Sequence, residues 1–277
     1  MSAIGVFDSG YGGLTILRSI QDILPNYDYL YLGDNARAPY GNRSFDTIYE
    51  YTWQAVQWFF RQGCPLVILA CNTSSAKALR SIQQRQLPLL DDKSVRVLGV
   101  IRPTSEIIAT YSSTGHIGIL ATKGTVQSKS YLMEIEKFSP GTRVTQQACP
   151  MWVPLIENNE YETTGGQWFI QRDVESFTRS ASDVDTLLLA CTHYPIIKSQ
   201  IQKWVPAGVK VLSQGEIIAA SLQNYLERHP EMEQKLSKNA MTNFYTTDNT
   251  DDFNEKAALF FGKAVLSKYA HLYTDGF

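Results

Sequence analysis

Apolar residues occur along this chain in two rhythms. Some form short unbroken runs; others recur every third or fourth position over longer stretches. The first rhythm predicts strands buried on both faces, and the second predicts helices with one face on a core. Residues 3–7, 27–32 and 66–70 are runs of the first kind. Leu14, Leu17, Ile20 and Leu24 lie on one helical face that stops before Pro25, directly after the turn Gly10-Tyr11-Gly12-Gly13. Ile48, Tyr51, Thr52, Ala55, Val56 and Phe59 trace a second helical stripe, ended by Gly63 and Pro65. A third helix is expected from about Ser74 to Arg85. Strand-like runs then return at 95–100, 116–120, 142–147 and 186–190, mostly with helical stretches between them. This alternation predicts an α/β fold of mostly parallel sheets flanked by helices, with chemistry at the carboxyl ends of strands.

An internal echo divides the chain. Leu66-Val67-Ile68-Leu69-Ala70-Cys71-Asn72-Thr73 resembles Thr186-Leu187-Leu188-Leu189-Ala190-Cys191-Thr192-His193. Ile4-Gly5-Val6-Phe7-Asp8-Ser9-Gly10 likewise resembles Ile117-Gly118-Ile119-Leu120-Ala121-Thr122-Lys123-Gly124. Two similar lobes with a site between them are expected. The first takes in 1–98 plus 209–277 and the second 99–208. Ala207-Gly208 and residues 228–239 read as surface connections.

Composition narrows the function. The 277 residues are 44% hydrophobic and 19% charged, with a net charge of −2. That near-neutral balance speaks against nucleic acid or an anionic membrane as partner. The start Met1-Ser2-Ala3-Ile4-Gly5-Val6-Phe7-Asp8 lacks the basic and long apolar regions of a signal peptide. The run 66–71 is too short to span a bilayer. A cytoplasmic location follows as the expectation. The four cysteines, Cys64, Cys71, Cys149 and Cys191, show neither CxxC pairing nor zinc-finger spacing, so free thiols and no metal are expected.

Cys71 and Cys191 stand apart from the other two. Each ends a buried strand and precedes polar side chains, a setting that burial alone does not require. Cys71 lies just before a predicted helix and Cys191 two residues from His193, so both have a source of thiolate activation. Two thiols facing one cleft suit a reaction that removes a proton from one face of a carbon and delivers one to the other. Cys64 and Cys149 read as structural. His193 is either a core histidine or the group that assists Cys191. Asp8 is either a helix cap or a functional carboxylate. The glycine-rich turn fails as a dinucleotide fingerprint, because Thr15 stands where the third glycine belongs. It does suit backbone donors for a carboxylate.

Four blocks then carry a resemblance: Asp8-Ser9-Gly10-Tyr11-Gly12-Gly13-Leu14-Thr15, Gly33-Asp34-Asn35-Ala36-Arg37-Ala38-Pro39-Tyr40-Gly41, Ala70-Cys71-Asn72-Thr73-Ser74-Ser75-Ala76 and Cys191-Thr192-His193-Tyr194-Pro195. In this order they resemble the signatures of the glutamate racemases, within the aspartate/glutamate racemase family. Weaker matches lie at Thr122-Lys123-Gly124-Thr125, from Cys149-Pro150 through Glu157, and at Phe244-Tyr245-Thr246-Thr247. The resemblance implies cofactor-independent interconversion of L- and D-glutamate, the latter destined for peptidoglycan. It implies that Cys71 attacks the D-enantiomer, aided by Asp8, and that Cys191 attacks the L-enantiomer, aided by His193 with Glu157. It further implies substrate contacts from Ser9, Asp34, Pro39, Tyr40, Gly41, Asn72, Thr73, Thr122, Thr125 and Thr192. No metal or other cofactor is implied, and a homodimer is the assembly to be tested.

Two departures are visible. Ala190 stands where the family usually has glycine before the second cysteine, and Ser213-Gln214-Gly215 where it often has Asp-Ser-Gly. The chain also begins at its first strand, without the N-terminal extension of members activated by a cell-wall precursor. The rival readings are an aspartate racemase or another member of the same group, and an inactive small-molecule-binding or inhibitor protein on the same fold.

Overall fold

The strands, seen in a computed structural model that describes residues 2–272, are β1 (Ile4–Asp8), β2 (Tyr29–Gly33), β3 (Leu66–Leu69), β4 (Arg96–Gly99), β5 (His116–Ala121), β6 (Arg143–Ala148), β7 (Thr186–Ala190), β8 (Lys210–Leu212), β9 (Thr242–Thr246) and β10 (Ser267–Tyr269). Met1 and residues 273–277, included in the expected first lobe, lie outside the described residues. Two sheets result. One is six-stranded in the order β10-β9-β2-β1-β3-β4, and the other four-stranded in the order β6-β5-β7-β8. Every pairing is parallel. β1, β2, β3, β5 and β7 are buried along their whole length, as the unbroken apolar runs require.

The echo in the sequence is a repeat in space. The segment β2-β1-β3-β4 has the same order as β6-β5-β7-β8. Register agrees as well: Ile4 faces Leu66 in one sheet, and Ile117 faces Thr186 in the other. Both central strands carry a glycine beneath an aromatic ring. A Cβ on Gly5 would come within 2.6 Å of the Phe59 ring, and one on Gly118 within 2.4 Å of Phe177. Those phenylalanines sit on helices Phe45–Arg61 and Thr164–Ser180, which precede β3 and β7 respectively. Each buried ring contributes roughly 1.5–3 kcal/mol of burial, and only a strand without a side chain there lets it approach.

Helix Gly13–Ile23 buries Leu14, Ile16, Leu17 and Ile20 and stops before Pro25. Helix Phe45–Arg61 starts at Ser44, whose hydroxyl accepts from the Thr47 amide at 3.2 Å. The helix expected from Ser74 to Arg85 is broken. Asn72–Lys77 is followed by Leu79–Ser81 and a π turn at Ile82–Gln86, with Ala78 at φ −114°. The stretch 228–239 is more than a surface connection, since it holds helix Pro230–Glu233 and buries Met232 and Leu236.

Pairing of β8 with β7 takes the second sheet past Val209. Helix Gly215–Arg228 then packs on helix Gly13–Ile23, so closely that a Cβ on Gly215 would lie 2.2 Å from Ser19 Oγ. On this packing we propose that the lobes divide after Gly99 and after Ser213. Among the described residues no helix is long and apolar enough to cross a membrane.

Candidate active site

β1 and β3 end side by side in the first sheet, and β5 and β7 do so in the second. The segments that leave these ends meet around a cleft of about 630 Å³, its open mouth included. Cys71 follows β3 and Cys191 follows β7, and both thiols line the cleft. Of the residues expected here, Ser9, Pro39, Tyr40, Gly41, Asn72, Thr73, Thr122, Glu157, Thr192 and His193 also line it. Asp8, Asp34 and Thr125 do not, and their hydrogen bonds give the reason.

Asp34 is fully buried. Its carboxylate accepts from Arg37 Nε at 2.7 Å and Thr247 Oγ1 at 2.8 Å, and from the Tyr40 hydroxyl. It therefore holds Tyr40, which lines the cleft, and does not face the cleft itself. Thr125 donates its backbone N–H to Thr122 Oγ1 at 3.2 Å, capping helix Lys123–Ser128, and its hydroxyl lies 3.1 Å from the same oxygen. Thr122 in turn meets Thr73 across the lobes at 3.0 Å.

The two thiols occupy different electrostatic settings. Burial raises the Cys71 pKa and the Asp8 carboxylate raises it further. Hydrogen bonds from the Ser74 amide and the Ser9 and Ser74 hydroxyls oppose this, and the net result is about 11. The lowering expected from the following helix is present, but burial outweighs the few donors that helix offers. Ser9 Oγ lies 3.6 Å from Cys71 Sγ. Beside Cys191, burial pulls His193 down, but hydrogen bonds with Cys191 and Glu157 and their charges raise it to about 10. Glu157 Oε1 sits 2.8 Å from His193 Nε2, and the Phe260 ring closes over the imidazole edge at 5.1 Å.

Asp8 links the two settings. Burial raises its pKa, against the lowering effect of His193, of the Gly10 and Gly13 amides and of Thr192. Gly10 N donates to Asp8 Oδ2 at 3.0 Å, and Thr192 Oγ1 donates to Oδ1 at 3.3 Å. The glycine-rich turn makes this contact possible. A Cβ on Gly12 would stand 2.2 Å from Thr192 Oγ1 and 2.4 Å from His193 Nδ1.

Six lining residues were not assigned to the site from the sequence: Ala38, Asn42, Lys123, Pro150, Val153 and Pro154. Asn42 and Lys123 adjoin Gly41 and Thr122, so proximity in the chain was the available signal. Val153 and Pro154 sit on helix Trp152–Glu157 and read as ordinary apolar positions. Cys149, read as structural, also lines the cleft, although burial and the neighbouring Asp173 and Cys191 charges hold its thiol well above the usual range. The four cysteines are unpaired. Among the described residues no cluster of histidine, cysteine and carboxylate side chains could hold a metal.

The family model for Asp/Glu/Hydantoin racemase matches residues 4–222. The chain belongs to that family. A glutamate racemase of Ruegeria sp. is 37% identical over 273 residues, 95% of this chain and 98% of that protein. The crystal structure of glutamate racemase isoform RacE1 from Bacillus anthracis superposes with a TM-score of 0.87 at 30% identity, covering 98% of each chain. Glutamate racemase from Francisella tularensis, solved in complex with D-glutamate, gives 0.85 at 31% identity over 98% of this chain and 97% of that one. Two of the departing residues, Ala190 and Gln214, are buried. Ala190 packs in the apolar cluster of the second lobe with Ile101, Ile119 and Ala121, and Gln214 is buried behind Asn72.

Proposed function

We propose that the chain racemises glutamate by a two-base mechanism and that its D-glutamate feeds peptidoglycan synthesis in the cytoplasm. The observation that carries this reading is the pair of thiols at equivalent strand ends of two sheets, opening into one cleft. The near full-length relatives named glutamate racemase support glutamate over aspartate as substrate.

In the L-to-D direction, Cys191 takes the Cα proton as its Cα–H bond breaks. Cys71, a thiol at neutral pH because its pKa is about 11, delivers its own proton to the opposite face. The proton gained and the proton lost balance, and exchange with solvent resets the pair. The reverse reaction exchanges the roles. His193, protonated up to about pH 10, assists on the Cys191 side and is held in place by Glu157. Asp8 assists on the Cys71 side. Ser9, Pro39, Tyr40, Gly41, Asn72, Thr73, Thr122 and Thr192 hold the substrate, with Asp34 and Thr125 acting behind Tyr40 and Thr122.

Circular dichroism tests the reading directly. Chelator-treated protein should bring the signal of L-glutamate to zero and leave L-aspartate largely unchanged. Loss of the aspartate signal instead would make the chain an aspartate racemase. A stable signal with both would favour the inactive binding protein. Sedimentation of the same sample would report whether the chain pairs as a homodimer.

A further inference from the structure

We propose that Gln214 is a positioning residue, holding the amide of Asn72 through a closed ring of hydrogen bonds so that one N–H faces the substrate. This rests on the reading of the cleft as a glutamate site.

Gln214 lies two residues after β8, as the N-cap residue of helix Gly215–Arg228, and is buried. Three side chains form the ring. Asn72 Nδ2 donates to Gln214 Oε1 at 2.7 Å, Gln214 Nε2 donates to Tyr131 Oη at 2.7 Å, and Tyr131 Oη donates to Asn72 Oδ1 at 2.6 Å. Each group donates to the next, so the ring has a direction. An amide could in principle be turned over with little change in shape. Here an anchor outside the ring forbids it. Thr104 Oγ1 gives its proton to the Val100 carbonyl at 2.9 Å, and so it only accepts from Gln214 Nε2 at 2.8 Å. The Val100 carbonyl also lies 3.3 Å from Nε2. Turning Gln214 over would set its oxygen against that carbonyl and leave buried donors unmatched, at a cost of roughly 1–3 kcal/mol per group.

The consequence reaches the cleft. With Gln214 Oε1 fixed toward Asn72, the Asn72 nitrogen must face Gln214 and its oxygen must face Tyr131. One Nδ2–H is used in the ring, and an amide nitrogen carries two. Asn72 lines the cleft one residue after Cys71, so the second N–H is available to an anionic substrate group beside that thiol. The ring and its anchor join helix Asn72–Lys77 to the helices Ile101–Ile107 and Ser130–Phe138, which ties the geometry of Asn72 to the contact between lobes.

The test is a double-mutant cycle of Gln214→Met and Asn72→Ala, with the Asn72 side-chain amide followed by ¹⁵N NMR. Gln214→Met keeps the volume and removes the polarity. It should move the Asn72 amide resonances and raise KM for both enantiomers roughly tenfold, with a smaller change in kcat. In the Asn72→Ala background it should add nothing, because Gln214 acts through Asn72. Additive losses, or an unmoved Asn72 amide, would overturn the proposal. If Gln214→Met does not fold, Tyr131→Phe in the same cycle reads the same ring, and additivity there overturns it equally. Wild-type protein that fails to racemise glutamate would sink the assigned reaction, whereas the NMR measurement judges the ring independently of turnover.

Discussion

The strand end at Cys71 and the strand end at Cys191 share a place in their sheets and almost nothing of their chemistry. β3 and β7 have the same neighbours in the same order, and each delivers a buried thiol to the cleft. Around Cys71 stand a buried carboxyl group and a serine hydroxyl, and the thiol keeps its proton to about pH 11. Around Cys191 stands an imidazolium backed by Glu157. The repeat supplies two equivalent positions, while Asp8 and Ser9 on one side and Glu157 and His193 on the other give them different surroundings. Symmetry places a thiol at each strand end, and asymmetry sets what surrounds it.

This comparison predicts its own largest effect. Cys71→Ser and Cys191→Ser should each lower racemisation at least about 10⁴-fold, the upper end of what a positioned acid or base contributes, since a hydroxyl is a far weaker base than a thiolate. Early product formed by the native protein in deuterated buffer should be almost fully labelled at Cα, with little label in remaining substrate. Product that keeps its original hydrogen would reduce the two cysteines to one working base.

His193→Asn is expected to cost less, about 10²–10³-fold. Because the equilibrium stays at equal L and D, kcat/KM must fall by one factor in both directions, and asymmetry between the lobes can show only in kcat and KM separately. Progress curves from each enantiomer give both numbers. Unchanged kcat from L and from D would remove His193 from the reaction.

The smallest effect is on stability, and its sign follows from the same two groups. His193 is raised from 6.5 to about 10, so between those values the folded chain holds a proton that the unfolded chain has released. Its contribution is complete below about 6.5 and is lost as pH rises through 10. Cys71, raised from 9.0 to about 11, acts with the same sign over that higher window. The urea midpoint should therefore decline from pH 7 to pH 10, and decline less steeply in His193→Asn. Parallel declines in the two proteins would show that His193 is not charged in the folded state.

Much of this was written in the order of residues. Unbroken apolar runs specified parallel strands because a strand covered on both faces admits no polar alternation. The repeated Ala-Cys at two strand ends specified two thiols at one kind of place. Local pattern reached as far as local causes do. It failed at residues 74–85, where packing broke one helix into three pieces. It also left Asp34 and Thr125 in the cleft, because a chain cannot say on which side of Tyr40 or Thr122 a neighbour will lie.

The protonation of the Cys71 thiol and of His193 was decided only when distant segments met. Cys71 is held as a thiol by burial together with Asp8, 63 residues away in the chain, and His193 is charged because Glu157 and Cys191 converge on it. Phe260, from a helix near the end of the chain, closes over that imidazole, and Gln214, 142 residues along the chain from Asn72, meets it beyond the edge strand β8. Sequence determines which groups are available and the period at which they are presented. Desolvation and Coulomb interaction depend on distances through space, which exist only once the two sheets have come together.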